Sequence, residues 1–138
     1  MTCHEINEHY GDVVDRTVSK LQEEKDVKIQ PEWILTIIKQ ETAGVVRPRF
    51  EQHWLSKLSP KHPDVNLGEL RYRSMSFGLG QIMGFNYKRV GATSAKALYT
   101  APLDEQIAFI ARFLTATSAL RAVVAKRNPS ADDFKVVA

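Results

Sequence analysis

Glu41 is the residue whose position points most directly to chemistry. Trp33, Ile37 and Glu41 follow at four-residue steps, and Ile34, Ile37, Ile38 and Glu41 at steps of three, one and three. On a helix both spacings put the carboxylate on the apolar face, at its C-terminal end. Apolar neighbours displace water, and a helix C-terminus disfavours negative charge, so both raise a carboxyl pKa. A carboxyl still protonated near neutral pH is what a general acid needs. A buried Glu paired with Arg47, Arg49 or another base is the alternative, and spacing alone leaves the two open.

Glu51 stands ten residues on, flanked by Arg49 and His53 in RPRFEQHW. Two carboxylates meeting in a cleft are the minimal equipment for cleaving a glycosidic bond: one protonates the leaving oxygen, the other stabilises positive charge or activates water. Taken alone, Glu51 reads first as a structural carboxylate holding the basic loop. The third feature is Ser76-Phe77-Gly78-Leu79-Gly80-Gln81-Ile82-Met83, where two glycines let backbone approach a ligand closely. A tight turn explains the same spacing. No Gly-Lys-Ser/Thr follows, so this is neither a phosphate-binding loop nor a dinucleotide fingerprint. His4 and His9 are five apart, His53 and His62 lie in separate segments, and the lone Cys3 joins none of them, so no metal site is expected.

The elements that must position these residues read as helices. Ile6, Tyr10, Val13, Val14, Thr17, Val18 and Leu21 mark one face of a first helix over about residues 4–25. Pro31 suits the first turn of a second, running to about Thr42, with Gly44 placed to end it. A third fits Phe50 to Leu58. Residues 59–73 hold two prolines and a glycine and read as a loop, with a short β-hairpin at most near residues 59–77. The glycine-marked turn then leads into a helix stopping near Gly91. Thr93 or Ser94 caps a short helix to about Tyr99, Pro102, Asp104 and Glu105 open a longer one, and Ser118 starts another ending near Arg127. Ser130 with Asp133 resembles a capping box for a last helix. The expectation is a mainly α, single domain over 1–138, with residues 1–30 an N-terminal amphipathic helix.

The chain has 138 residues, of which 43% are hydrophobic and 25% charged, with one cysteine. That excludes wholesale disorder and an internal disulfide framework. No apolar run suggests a stable membrane span, and the acidic, amphipathic start is not a signal peptide. Residues 1–30 carry four Lys/Arg against seven Asp/Glu, and residues 31–138 fifteen against nine. No acid lies between Glu69 and Asp104, where Arg71, Arg73, Lys88, Arg89 and Lys96 are basic. Such a surface favours an anionic polymer, or simply keeps the domain soluble. No helix-turn-helix or aromatic-basic motif supports a nucleic-acid partner.

Together, Ile38-Lys39-Gln40-Glu41-Thr42, Arg49-Phe50-Glu51-Gln52-His53, and Tyr72-Arg73-Ser74 leading into Ser76 to Asn86 resemble the N-acetylmuramidase domain of bacteriophage endolysins and related bacterial enzymes. A helix-ending Glu followed by Gly-Leu-x-Gln-Ile-Met is more distantly similar to soluble lytic transglycosylases and goose-type lysozyme. The resemblance runs from about residue 31 to the end and implies a lysozyme-like helical fold. It implies that Glu41 is the catalytic acid on the β-1,4 bond between N-acetylmuramic acid and N-acetylglucosamine. Glu51 falls at the family's second acidic position, and His53 in the same motif. Gly78, Gly80, Gln81 and Met83 match the part lining the sugar cleft, and Tyr72 and Ser74 the same wall.

Two departures accompany the resemblance. Thr42-Ala43 replaces the more usual Ser-Gly, a change expected to preserve the turn. The family usually continues into a Tyr-Asn-Gly segment, whereas Lys135-Val136-Val137-Ala138 closes this sequence, so a truncated C-terminal end is expected. The implied function is cleavage of peptidoglycan strands as a muramidase or lytic transglycosylase, without metal or organic cofactor. The expected protein is a monomer made in the bacterial cytoplasm and acting on the wall, or carried in a phage particle. A non-catalytic peptidoglycan-binding or structural module with the same fold is the alternative.

Overall fold

In a computed structural model of the chain, the described residues are 1–45, 49, 50, 57–62 and 64–137. The chain is mainly helical. Helix α1 spans Cys3–Lys25 and opens on a capping box in which Thr2 and Glu5 satisfy each other's backbone N–H groups. Helix α2 spans Pro31–Glu41 with proline in its first turn, and α1 packs along it. Strand β1 (Arg49–Phe50) follows, then a 3₁₀ turn at Ser59–Lys61. Helix α3 covers Leu67–Arg73 and leads into β2 (Met75–Phe77) and β3 (Ile82–Met83). A 3₁₀ turn at Gly84–Asn86 precedes α4 (Ala95–Thr100), α5 (Leu103–Leu114), α6 (Ser118–Val124) and α7 (Ala131–Val137).

The core gathers around α5. Ile107 and Ala111 are fully buried and Ile110 and Leu114 nearly so, against Val14 of α1 and Ile34 and Ile38 of α2. Removing a side chain of this size from water stabilises by about 1.5–3 kcal/mol. Helix α2 is pinned at both ends. At its start the Gln30 backbone N–H donates to the Val124 carbonyl (2.8 Å) and its side-chain amide to the Ala125 carbonyl (3.2 Å). Past its end the Tyr10 hydroxyl of α1 donates to the Gly44 carbonyl (2.8 Å). The carboxylate that closes α2 is therefore carried on a fixed rod.

The small sheet differs from the expected hairpin. It is antiparallel, ordered β1-β2-β3, with Phe50 opposite Met75, Arg49 opposite Ser76, and Ser76 opposite Met83. Phe50 thus lies in a strand, and the expected helix from Phe50 to Leu58 falls mostly outside the described residues. Two further expectations are corrected. Residues 67–73 form α3 instead of a loop, because the Asn66 side chain accepts from the Glu69 N–H (2.8 Å) and caps it. Residues 84–91 form a 3₁₀ turn and further turns instead of a helix. A Cβ on Gly84 would lie only 2.0 Å from the Tyr72 carbonyl oxygen, so this backbone is pressed directly against the end of α3.

Candidate active site

Glu41 opens into a cleft of about 300 Å³ lined by Ile37, Gly80, Gln81, Ile82, Met83, Asn86, Ile110, Phe113, Leu114 and Val137. Two sequence features 40 residues apart, the end of α2 and the Gly-Leu-Gly-Gln turn, therefore meet. The periodicity of α2 explains how. Ile34 and Ile38 are fully buried, and Glu41, three residues after Ile38, shares their side of the helix but lies where the core opens. The carboxylate is solvent-accessible, yet its neighbourhood removes enough water to raise its pKa from the ordinary carboxylate value. Desolvation is the cause. Among the described residues it has no ion-pair partner; Arg47 and the side chain of Arg49 lie outside that set.

The opposite wall is the β2–β3 turn. The Gln81 N–H donates to the Gly78 carbonyl (3.2 Å), and Gln81 adopts a left-handed backbone at φ +49°. A side chain in that region costs about 1–2 kcal/mol and persists because its surroundings hold it. Here the Ser76 hydroxyl donates to Gln81 Oε1 (2.8 Å) and Gln81 Nε2 donates to the Gly78 carbonyl (3.1 Å). Gly80 is required by packing: a Cβ there would meet Ile110 Cγ1 at 2.6 Å. Its bare backbone lets α5 come close enough for Ile110, Phe113 and Leu114 to form the floor.

Two side chains lock the turn to its neighbours. The Thr42 hydroxyl, next to Glu41, donates to the Leu79 carbonyl (2.9 Å), with the Ile38 carbonyl also in reach at 3.1 Å. From α5, Gln106 accepts from the Leu79 N–H (3.2 Å) and donates to the Ala101 carbonyl (3.0 Å). Leu79, 1% exposed, is thus held from both sides. Neither residue was among the sequence candidates. Thr42 carried a signal as a hydroxyl beside Glu41; Gln106 carried none, because its partner lies 27 residues away.

Of the sequence candidates, Glu41, Gly80, Gln81 and Met83 line the cleft. Gly78 does not. It faces the other way, at φ +71°, where a Cβ would lie 3.0 Å from Gln106 Oε1. Tyr72 does not either: its ring sits with Phe77 and Tyr99, 6.1 and 6.0 Å away between centroids. Ser74 is fully buried, and its hydroxyl donates to the Leu70 carbonyl (2.8 Å), closing α3. Within the described cleft, the wall opposite Glu41 is therefore built by Gly80, Gln81 and Met83 and not by these three. Glu51 and His53 lie outside the described residues. Among the described residues no three His, Cys, Asp or Glu side chains assemble into a metal site.

The arrangement offers a partly desolvated acid across a narrow apolar-walled cleft from a rigid turn. No curated protein and no solved structure matches the chain. The family model for N-acetylmuramidase matches residues 64–134. That span, just over half of the chain, holds the turn and the α5 floor, while Glu41 stands outside it on α2. Peptidoglycan is accordingly the substrate class, and its degradation the general function. The chain belongs to the N-acetylmuramidase family.

Proposed function

We propose that the protein cleaves the β-1,4 bond between N-acetylmuramic acid and N-acetylglucosamine, with Glu41 as the general acid that protonates the leaving oxygen. The observation that carries this reading is the raised pKa of a solvent-accessible Glu41 facing the Gly80–Met83 turn across the cleft. Proton donation needs a carboxyl that keeps its proton and is reachable; desolvation favours the first, and incomplete burial leaves the second. Gly80, Gln81 and Met83 are the residues proposed to contact the sugar. The Gln81 amide is already oriented by Ser76 and Gly78, so the turn meets substrate as a preformed surface.

Turbidity clearing of purified peptidoglycan by the wild type and by Glu41→Gln tests the assignment. The variant keeps shape and loses the proton, and a fall of 10²-fold or more is expected for removing a general acid, at about 10²–10⁴. Equal clearing by both proteins removes Glu41 from the chemistry. A wild type that binds the wall without clearing it identifies a binding module. Mass spectrometry of the released sugars distinguishes the attacking group: 1,6-anhydro ends mark intramolecular attack by the muramic acid 6-hydroxyl, and reducing ends mark attack by water.

A further inference from the structure

Phe113 of α5 and Asn86 of the 3₁₀ turn both line the cleft, and a cation stands directly beside them. The guanidinium carbon of Arg89 lies 5.8 Å from the centre of the Phe113 ring, within the range of cation–π attraction. The segment that carries Arg89 is fixed. Val90 is fully buried, its carbonyl accepts from Arg112 (3.0 Å), and the Ala92 N–H donates to the Tyr87 carbonyl (2.9 Å). With Val90 anchored inward, Arg89 before it is exposed. A rigid turn therefore presents a cation at the rim of the cleft.

The other arginines of this region are committed. Arg73 pairs with Glu69 and donates to the Tyr87 hydroxyl, and Arg112 holds the Val90 carbonyl. Arg89 makes no hydrogen bond or ion pair with any described residue, and no acid lies between Glu69 and Asp104 in the sequence. Nor does it neutralise Glu41. Burial alone accounts for the shift of that carboxyl, whereas a cation in contact would pull it down. The guanidinium donors, a planar fork that matches a carboxylate, are left for a ligand. Peptidoglycan supplies one. Its muramic acid bears a lactyl arm whose carboxyl is either free or extended by a stem peptide with carboxylates of its own, while N-acetylglucosamine is uncharged.

We infer that Arg89 is a specificity-determining residue that pairs with a carboxylate borne on the lactyl arm of muramic acid. It favours peptidoglycan strands over uncharged amino-sugar polymers. The inference rests on the proposed reaction at Glu41, because it takes that cleft as the place where the strand lies.

The test measures binding of soluble glycan strands in three forms: with stem peptides, with stem peptides removed to bare the lactyl carboxylate, and with that bared carboxyl converted to its amide. All proteins carry Glu41→Gln to suppress turnover, alone or with Arg89→Gln, Arg89→Lys or Lys88→Gln. The parent is expected to bind a carboxylate-bearing form more tightly than the amide form. Arg89→Gln should weaken that binding about fivefold, as losing an ion pair at a partly exposed edge does, and leave the amide form unchanged. Arg89→Lys should recover part of the loss. A loss on the stripped strand assigns the contact to the lactyl carboxylate, and one confined to the peptide-bearing strand assigns it to the stem peptide. An equal loss on all three forms, or on none, overturns the inference. So does an equal loss in Lys88→Gln, which removes the same charge from over the Tyr87 ring, outside the described lining of the cleft. Clearing that survives Glu41→Gln overturns the acid assignment instead, a failure read from activity and not from the Arg89 series.

Discussion

The pKa of Glu41 fixes two pH dependences of known sign. Its folded-state value is raised by desolvation, so the protonated, donating form persists to higher pH than it would in water. Cleavage should therefore fall on the alkaline side as pH rises through that raised value, and a pH profile of clearing checks it. The same shift is linked to stability. The folded protein holds this proton more tightly than the unfolded chain. The favourable contribution is complete below the unfolded value of about 4.3 and is lost as pH rises through the folded one. Glu41→Gln removes that pH dependence, so the variant should melt higher than wild type near neutrality, with the difference closing in acid. Two residues on, Ala43 adopts φ +51°, a conformation that suits glycine. Relieving about 1–2 kcal/mol of left-handed strain, against about 0.4–1 kcal/mol of added chain entropy, makes Ala43→Gly stabilising by about 0.5–1 kcal/mol. A higher denaturant midpoint at unchanged slope is the expected readout.

At the scale of elements, the cleft depends on how the β2–β3 turn is clamped between α2 and α5. Gln106→Leu deletes the acceptor for the Leu79 N–H and the donor to the Ala101 carbonyl. Leaving such groups unsatisfied costs about 1–3 kcal/mol, and the loosened turn should lower clearing further than stability alone explains. Gln106→Glu keeps the acceptor toward Leu79 and should retain more activity than leucine at matched folded fraction. Gly84→Ala tests the close approach of the 3₁₀ turn to α3. Backbone and not a movable side chain stands 2.0 Å from the added carbon, so a loss of about 3 kcal/mol is expected in thermal unfolding. These contacts explain which elements were legible. Helices α1, α2 and α5 carry strong periodicity, α1 opens on a capping box and α2 on a first-turn proline, and the Ser130–Asp133 capping box forms as its spacing indicates. The helix expected to end near Gly91 fails because the Gly84 backbone is set by its packing on Tyr72 and Arg73, a contact across the chain. Helix α3 was legible in principle from Asn66 and Glu69, but the prolines before it masked the signal.

Across the whole molecule, the charge asymmetry separates an acidic α1 from a basic body. No helix among the described residues is alone long and apolar enough to cross a membrane. Binding to an anionic wall through exposed cations such as Lys88 and Arg89 should weaken with salt, since the Debye length shrinks from about 10 Å at 0.1 M to about 3 Å at 1 M. Sedimentation with insoluble peptidoglycan over that range measures it, and binding indifferent to salt would remove charge from wall recognition. The sequence by itself determined that α2 ends in a carboxylate on its apolar face, because helical periodicity is local and Ile34, Ile37 and Ile38 set the phase. It also marked the Gly-Leu-Gly-Gln turn, because its glycines allow close backbone approach. Only the tertiary structure decided which residues of that turn face Glu41. Gly80, Gln81 and Met83 do so, while Gly78, Tyr72 and Ser74 are turned toward Gln106, the aromatic cluster and the end of α3. The side of the turn that meets α2 is set by the contacts of Thr42, Gln106 and Ile110, which come from elements far away in the chain and which local spacing does not encode.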